Sequence, residues 1–141
     1  MKKFKYKWII FIIISIIILL TDRLTKIWAL NLTKTIDFKF FAFTLVKNTG
    51  AGFGLFQDLN SVLIYFSVIV LGLLIYFYDR INPYSFTFIA AGLTGNIIDR
   101  IFYGFVIDFI NFKIWPVFNI ADSFITIGVI LLIIEFFRKK D

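Results

Sequence analysis

Cysteine and histidine are both absent from this 141-residue chain. Without cysteine there is no disulfide, no thiolate metal site and no cysteine nucleophile. Without histidine the commonest general base, the usual metal ligand and any Ser–His dyad are gone as well. Acids are scarce, with 9 Asp and Glu against 15 Lys and Arg, for a net charge of +6. Whatever chemistry the chain performs must use Asp, Glu, Lys, Ser or Tyr. No metal site and no cofactor is expected. There is also no internal repeat and no low-complexity linker.

What the chain does have is apolar side chain: 60% of its residues are hydrophobic and 20 are Phe. A soluble domain is roughly 45–50% apolar, and a fold of this size could not cover such an excess with its own polar surface. The class is integral membrane protein, with residues 1–141 forming one membrane-embedded domain. The positive charge does not point to nucleic acid. Lys2, Lys3, Lys5 and Lys7 crowd one end and Arg138, Lys139 and Lys140 the other, in the manner of cytoplasmic anchors drawn to anionic lipid. The expected partners are membrane lipids, and no nucleic acid.

Four apolar segments predict four transmembrane helices, over about 8–28, 59–78, 81–98 and 119–137. Trp8 to Leu20 carries no charge and reaches crossing length if the helix continues through Asp22 to Trp28. Pro83 is tolerated near the start of the third helix. The last run, Ser123 to Ile134, is too short unless it begins near Asn119, which places Asp122 in its first turn. K-K-F-K-Y-K before an apolar run resembles a signal peptide, but T-D-R-L-T-K follows instead of a small-residue cleavage site. An uncleaved first span is therefore expected. Four spans put both basic termini on the cytoplasmic side, with the D-R-I-N-P link. Segments of about 22–58 and 99–122 then face the extracytoplasmic side. Within the first, Ile36 to Val46 is aromatic and β-branched with alternation broken at Phe40-Phe41, which suggests a small sheet, and N-T-G at Asn48 to Gly50 marks a turn. Ile110 to Phe118 is expected to add a strand or irregular segment beside it.

The acids at the extracytoplasmic ends of the spans are the candidates for chemistry. Ionisable groups near the bilayer core cost roughly 2.5–3.5 kcal/mol each on insertion scales, which marks them as functional candidates. Asp108 and Asp122 form the strongest pair. Two carboxylates held close share a proton, so one can take a proton from water while the other protonates a carbonyl oxygen or leaving amine. The structural alternative for Asp122 is a capping box with Asn119, and for Asp108 a solvated loop acid. Asp99, near a helix C-terminus, needs a partner, and Arg100 suits a substrate carbonyl or a lipid phosphate. Asn48, Asn96 and Asn119 share the face of the acids and suit an extended peptide, the aspartates themselves, or a turn or cap. Gly50, Gly92, Gly95 and Gly104 permit close backbone approach or helix packing. Asp22 and Lys26, at i and i+4, suit a surface ion pair. A Ser–Lys dyad of Lys26 with Ser61 or Ser123 is the weaker reading, because neither serine has a distinctive context. A small transporter would carry its acids near mid-span, whereas these cluster at one end. A non-catalytic assembly subunit would tolerate Asn at 108 and 122.

Five ordered blocks carry a resemblance: T-D-R-L-T-K (Thr21 to Lys26), N-T-G-A-G-F (Asn48 to Phe53), G-N-I-I-D-R (Gly95 to Arg100), G-F-V-I-D-F (Gly104 to Phe109) and F-N-I-A-D (Phe118 to Asp122). In these the chain resembles the lipoprotein signal peptidases (signal peptidase II) over essentially its whole length. The resemblance implies a four-helix membrane aspartyl protease with an extracytoplasmic β-cradle, in a bacterial inner membrane. It would cleave lipid-modified prolipoproteins before the diacylglyceryl cysteine, as a monomer. Carried over by motif, Asp108 and Asp122 are the catalytic dyad. Asn48, Gly50, Asn96, Arg100 and Asn119 bind substrate or position the dyad, and Asp22 and Asp99 support the site. The chain departs from the family pattern at Ala91, at Gly52 and in a shorter interval between the aspartates.

Overall fold

The computed structural model describes residues 2–50 and 59–138. It is mainly helical, with a small three-stranded antiparallel sheet. In chain order come α1 (Lys2–Leu30), β1 (Ile36–Asp37), β2 (Ala42–Asn48), α2 (Asn60–Tyr76), a 3-10 turn (Tyr78–Arg80), α3 (Pro83–Tyr103), β3 (Val106–Asn111) and α4 (Ile120–Arg138). Residues 51–53 of the N-T-G-A-G-F block, Gly52 included, lie outside the described residues. Among the described residues, two helical stretches, Trp8–Leu30 and Ile120–Arg138, are long and apolar enough to cross a membrane; Asn60–Tyr76 is apolar but shorter. Many of their isoleucines, Ile12, Ile13, Ile16 and Ile17 of α1 among them, are exposed rather than packed inside, whereas Ile18 is buried.

The helix ends follow local chemistry. Asn82 caps α3 by accepting the Tyr84 N–H at 2.8 Å, and Pro83 fills the first helical position, where no N–H is needed. At the other end α3 runs past Ile98 to Tyr103 and stops at Gly104, whose φ of 78° suits glycine. Asp99 and Arg100 are thus helical, and the 99–122 segment begins with a turn of helix. The helix can continue through Asp99 because cations on α1 offset its unfavourable place near the C-terminal end.

Helix α3 lies at the centre, packed on α4, α1 and α2. Its glycines allow the approach. A Cβ at Gly92 would lie 2.5 Å from the Ala121 carbonyl oxygen and 2.6 Å from Ile125 Cγ1, and one at Gly95 would lie 2.8 Å from Asp22 Oδ2. A backbone oxygen cannot step aside as a flexible side chain can. Gly92→Ala is therefore expected to destabilise the protein by about 1–3 kcal/mol, seen as a lower Tm in detergent. Because it displaces the first turn of α4, it should also reduce activity.

The sheet order is β1-β2-β3. Its core, Ala29, Ile107 and Phe109, fastens the end of α1 to β3, with Trp28 edge-on to Phe43 and Phe109. The expected break at Phe40-Phe41 falls in the turn between β1 and β2. Of the two expectations for Ile110 to Phe118, the irregular segment fits beyond Asn111, with a bridge joining Ile110 to Phe118, while the third strand begins earlier, at Val106, and ends at Asn111. Val106 to Phe109 are buried on both faces, so this stretch shows no period-two alternation by which a strand is read. Between Phe43 and Val46 the β2–β3 register slips by one residue, from Phe43 opposite Ile110 to Val46 opposite Asp108. A one-residue slip exchanges faces. It places Asn48, two residues beyond Val46, on the same face as Asp108.

Candidate active site

The sequence-predicted residues converge where α1, α3, β3 and α4 meet the sheet. Asp108 is on β3 and 2% exposed, so the reading of it as a solvated loop acid is overturned. Its Oδ2 accepts from Asn48 Nδ2 at 2.8 Å and its Oδ1 from Asn119 Nδ2 at 2.7 Å. Asn48 is held in turn by the Gly50 N–H, which donates to Asn48 Oδ1 at 3.0 Å.

Asp122 and Asn119 form the capping box. Asp122 N–H donates to Asn119 Oδ1 (2.9 Å) and Asn119 N–H to Asp122 Oδ2 (3.2 Å). The other oxygen of Asp122 accepts from Asn96 Nδ2 at 2.7 Å. Asn119 Nδ2 also donates to Asn96 Oδ1 at 3.1 Å. Two amides therefore bridge the two carboxylates, and the cap and the pair are one arrangement rather than alternatives.

Burial, and next the charge of Asp122, push the Asp108 carboxyl up to about 7; hydrogen bonds from Asn48 and Asn119 and the charge of Lys26 oppose the rise. Arg100 donates to the Gly50 carbonyl at 3.1 Å and lies within electrostatic reach of Asp122, Asp108 and Asp99. Asn60, at the start of α2, donates to the Arg100 carbonyl at 3.1 Å. Beside Asp122 a groove of about 360 Å³, lined by Phe118, Ser123, Thr126 and Ile127 among others, runs along α4.

The surface ion pair expected of Asp22 and Lys26 is corrected by the structure. Lys26 is 0% exposed, and its ammonium lies 2.8 Å from both Asp22 Oδ2 and Asp99 Oδ2 and 3.1 Å from Asn96 Oδ1. Asp22 also accepts the Ala121 N–H at 2.9 Å, fixing the start of α4. Asp99 takes Arg23 Nη2 at 2.7 Å and the Ile107 N–H at 3.2 Å. Helical spacing gives the neighbourhood of Asp22 and Lys26 but not which side of α1 is covered. Arg23 and Asn60 were missed altogether. The available signal was that charges in so apolar a helix need partners.

The signal peptidase II family model matches residues 14–138. Among relatives, the lipoprotein signal peptidase of Thermodesulfovibrio yellowstonii is 40% identical, covering 87% of this chain and 91% of that protein. That of Clostridium tetani is 38% identical, covering 92% and 93%. A solved structure described as a bacterial membrane enzyme, determined by the in meso method at 2.3 Å, superposes with a TM-score of 0.85 at 31% identity, over 93% of this chain and 89% of that one. With the matched region spanning all four helices and the sheet, the chain belongs to the signal peptidase II family, the lipoprotein signal peptidases.

Proposed function

We propose that this protein is an intramembrane aspartyl endopeptidase that removes the signal peptide from diacylglyceryl-modified prolipoproteins, cutting before the lipid-modified cysteine. The observation that carries this reading is the pair of carboxylates, buried Asp108 and half-buried Asp122, joined through Asn96 and Asn119. One ionised carboxylate takes a proton from water as the water oxygen bonds to the scissile carbonyl carbon. The other carboxyl gives its proton to the carbonyl oxygen. The carbon–nitrogen bond then breaks as the first carboxyl protonates the departing amine, while the second carboxylate takes a proton back from a hydroxyl of the gem-diol and the carbonyl re-forms. No covalent intermediate forms, which suits a chain without cysteine or histidine.

Asn48, Gly50 and Arg100 hold the substrate backbone and one side of the dyad, while Asn96 and Asn119 position its carboxylates. Asp22 and Asp99 support the site from α1 and α3. All four helices span the bilayer of the bacterial inner membrane in one domain, with both basic termini cytoplasmic and the dyad at the extracytoplasmic face beside a β-cradle. The apolar groove along α4 supports entry of a lipid-bearing substrate from the membrane. The protein acts as a monomer in this reading.

The test is cleavage by the purified protein in detergent, with the new N-terminus identified by mass spectrometry. Diacylglyceryl-modified prolipoprotein should be cut at the cysteine and the unmodified precursor should not; equal cutting of both would remove the lipid from the specificity. The pH profile should also have an upper limb near 7. The raised Asp108 carboxyl keeps its proton below about 7 and loses it above, and the step needs one acid. Activity rising steadily beyond pH 8 would exclude that requirement.

A further inference from the structure

Lys26 takes no part in the proton transfers above, yet it stands behind them. An ammonium can only donate hydrogen bonds and an amide oxygen can only accept them. With Lys26 Nζ 3.1 Å from Asn96 Oδ1, the side of Asn96 facing α1 must be oxygen, and its nitrogen is turned to Asp122 Oδ1 at 2.7 Å. Asn119 Nδ2 reinforces the same orientation from α4. Were Asn96 reversed, it would present oxygen to Asp122, and only a protonated Asp122 could make that bond.

The two acids are therefore not equivalent. Asp122 faces an amide nitrogen held by a cation and a backbone N–H, in the first turn of a helix, where negative charge is favoured. Asp108 lies on a strand, which has little dipole to offer, and meets two neutral side-chain amides. We propose that Lys26 is a positioning residue for the aspartate pair: by fixing the Asn96 amide it keeps Asp122 ionised as the base and leaves the shared proton on Asp108, the acid. This rests on the dyad reading above and assigns its two roles.

The groups acting on Asp108 come from several elements: Lys26 from α1, Asn48 from β2, Arg100 from α3, and Asn119 and Asp122 at α4. Among the cations, the Lys26 ammonium is fixed in place by two carboxylates and one amide. Its loss raises the affinity of the pair for protons, so the upper limb of the pH profile moves to higher pH.

The experiment measures kcat and KM against pH for Lys26→Met and for Asp22→Asn/Lys26→Met, with diacylglyceryl-modified prolipoprotein in detergent. The double variant removes a cation and an acid together and keeps the test open if Lys26→Met does not fold. The expected result is a fall in kcat of at least about tenfold with KM changed less than about twofold, and an upper limb shifted upward by about one pH unit. Asp22→Asn alone leaves the ammonium in place and removes a neighbouring acid, so the limb should not move to higher pH. A fall in kcat with an unmoved limb would mean that Lys26 only supports the fold, and unchanged kcat and limb would remove it from the site; either overturns the proposal. Failure of the dyad reading looks different, because Asp108→Asn and Asp122→Asn would then still cleave.

Discussion

Asp108→Asn and Asp122→Asn are each expected to lower kcat for prolipoprotein cleavage by roughly 10²–10⁴-fold, the range that one positioned proton-transfer group supplies. Asparagine keeps the shape of aspartate but can neither take a proton from water nor deliver one. Each change also turns an amide NH₂ toward a donor: Asn48 or Asn119 at position 108, and Asn96 or the Asn119 N–H at position 122. That mismatch costs roughly 1–3 kcal/mol and is offset in part by removing the repulsion between the two acids, so both variants should remain folded. Because the carboxyls act as one unit, the double variant should be no slower than the worse single one, as for other catalytic groups that work together. Folded single variants that still cleave would remove the aspartates from the chemistry.

The largest effect on stability is expected at Asp99. Its carboxylate receives Arg23, Lys26 and the Ile107 N–H and is wholly buried. Asp99→Ala leaves the buried Lys26 ammonium with one carboxylate in place of two, and the Ile107 N–H without its partner. Removing one member of a buried ion pair is destabilising by about 3–5 kcal/mol, because the remaining charge is left uncompensated in a low-dielectric site. Thermal unfolding in detergent measures it. A loss below about 1 kcal/mol, the range of surface pairs, would show that water reaches this cluster. Asp99→Asn should be milder, since it retains one acceptor oxygen for two of the three donors to compete for.

The boundaries of α4 and its capping box were legible because they are local. Asn119 and Asp122 are three residues apart, and the hydropathy of the following run requires the helix to start there. The start of α3 was legible from Pro83 for the same reason, although the cap by Asn82 was not read. The end of α3 was harder to place: hydropathy falls away at Ile98, whereas the backbone continues to Gly104, where a left-handed conformation ends the helix. The first half of strand β3, Val106 to Phe109, was not legible because both its faces are covered, which erases alternation.

By itself the sequence determined the membrane class, the absence of thiol and imidazole chemistry, the helix starts near Pro83 and Asn119, and the acids worth watching. Each of these depends on composition or on residues within a turn of one another. Only the tertiary structure decided that Lys26 is buried against an asparagine 70 positions away, and that a one-residue slip in the β2–β3 register brings Asn48 to Asp108 across 60 positions. It also decided that the cap of α4 and the carboxylate pair share the Asn119 side chain. Charge burial and strand register are set by what packs on the far side of an element, and no local pattern carries that information.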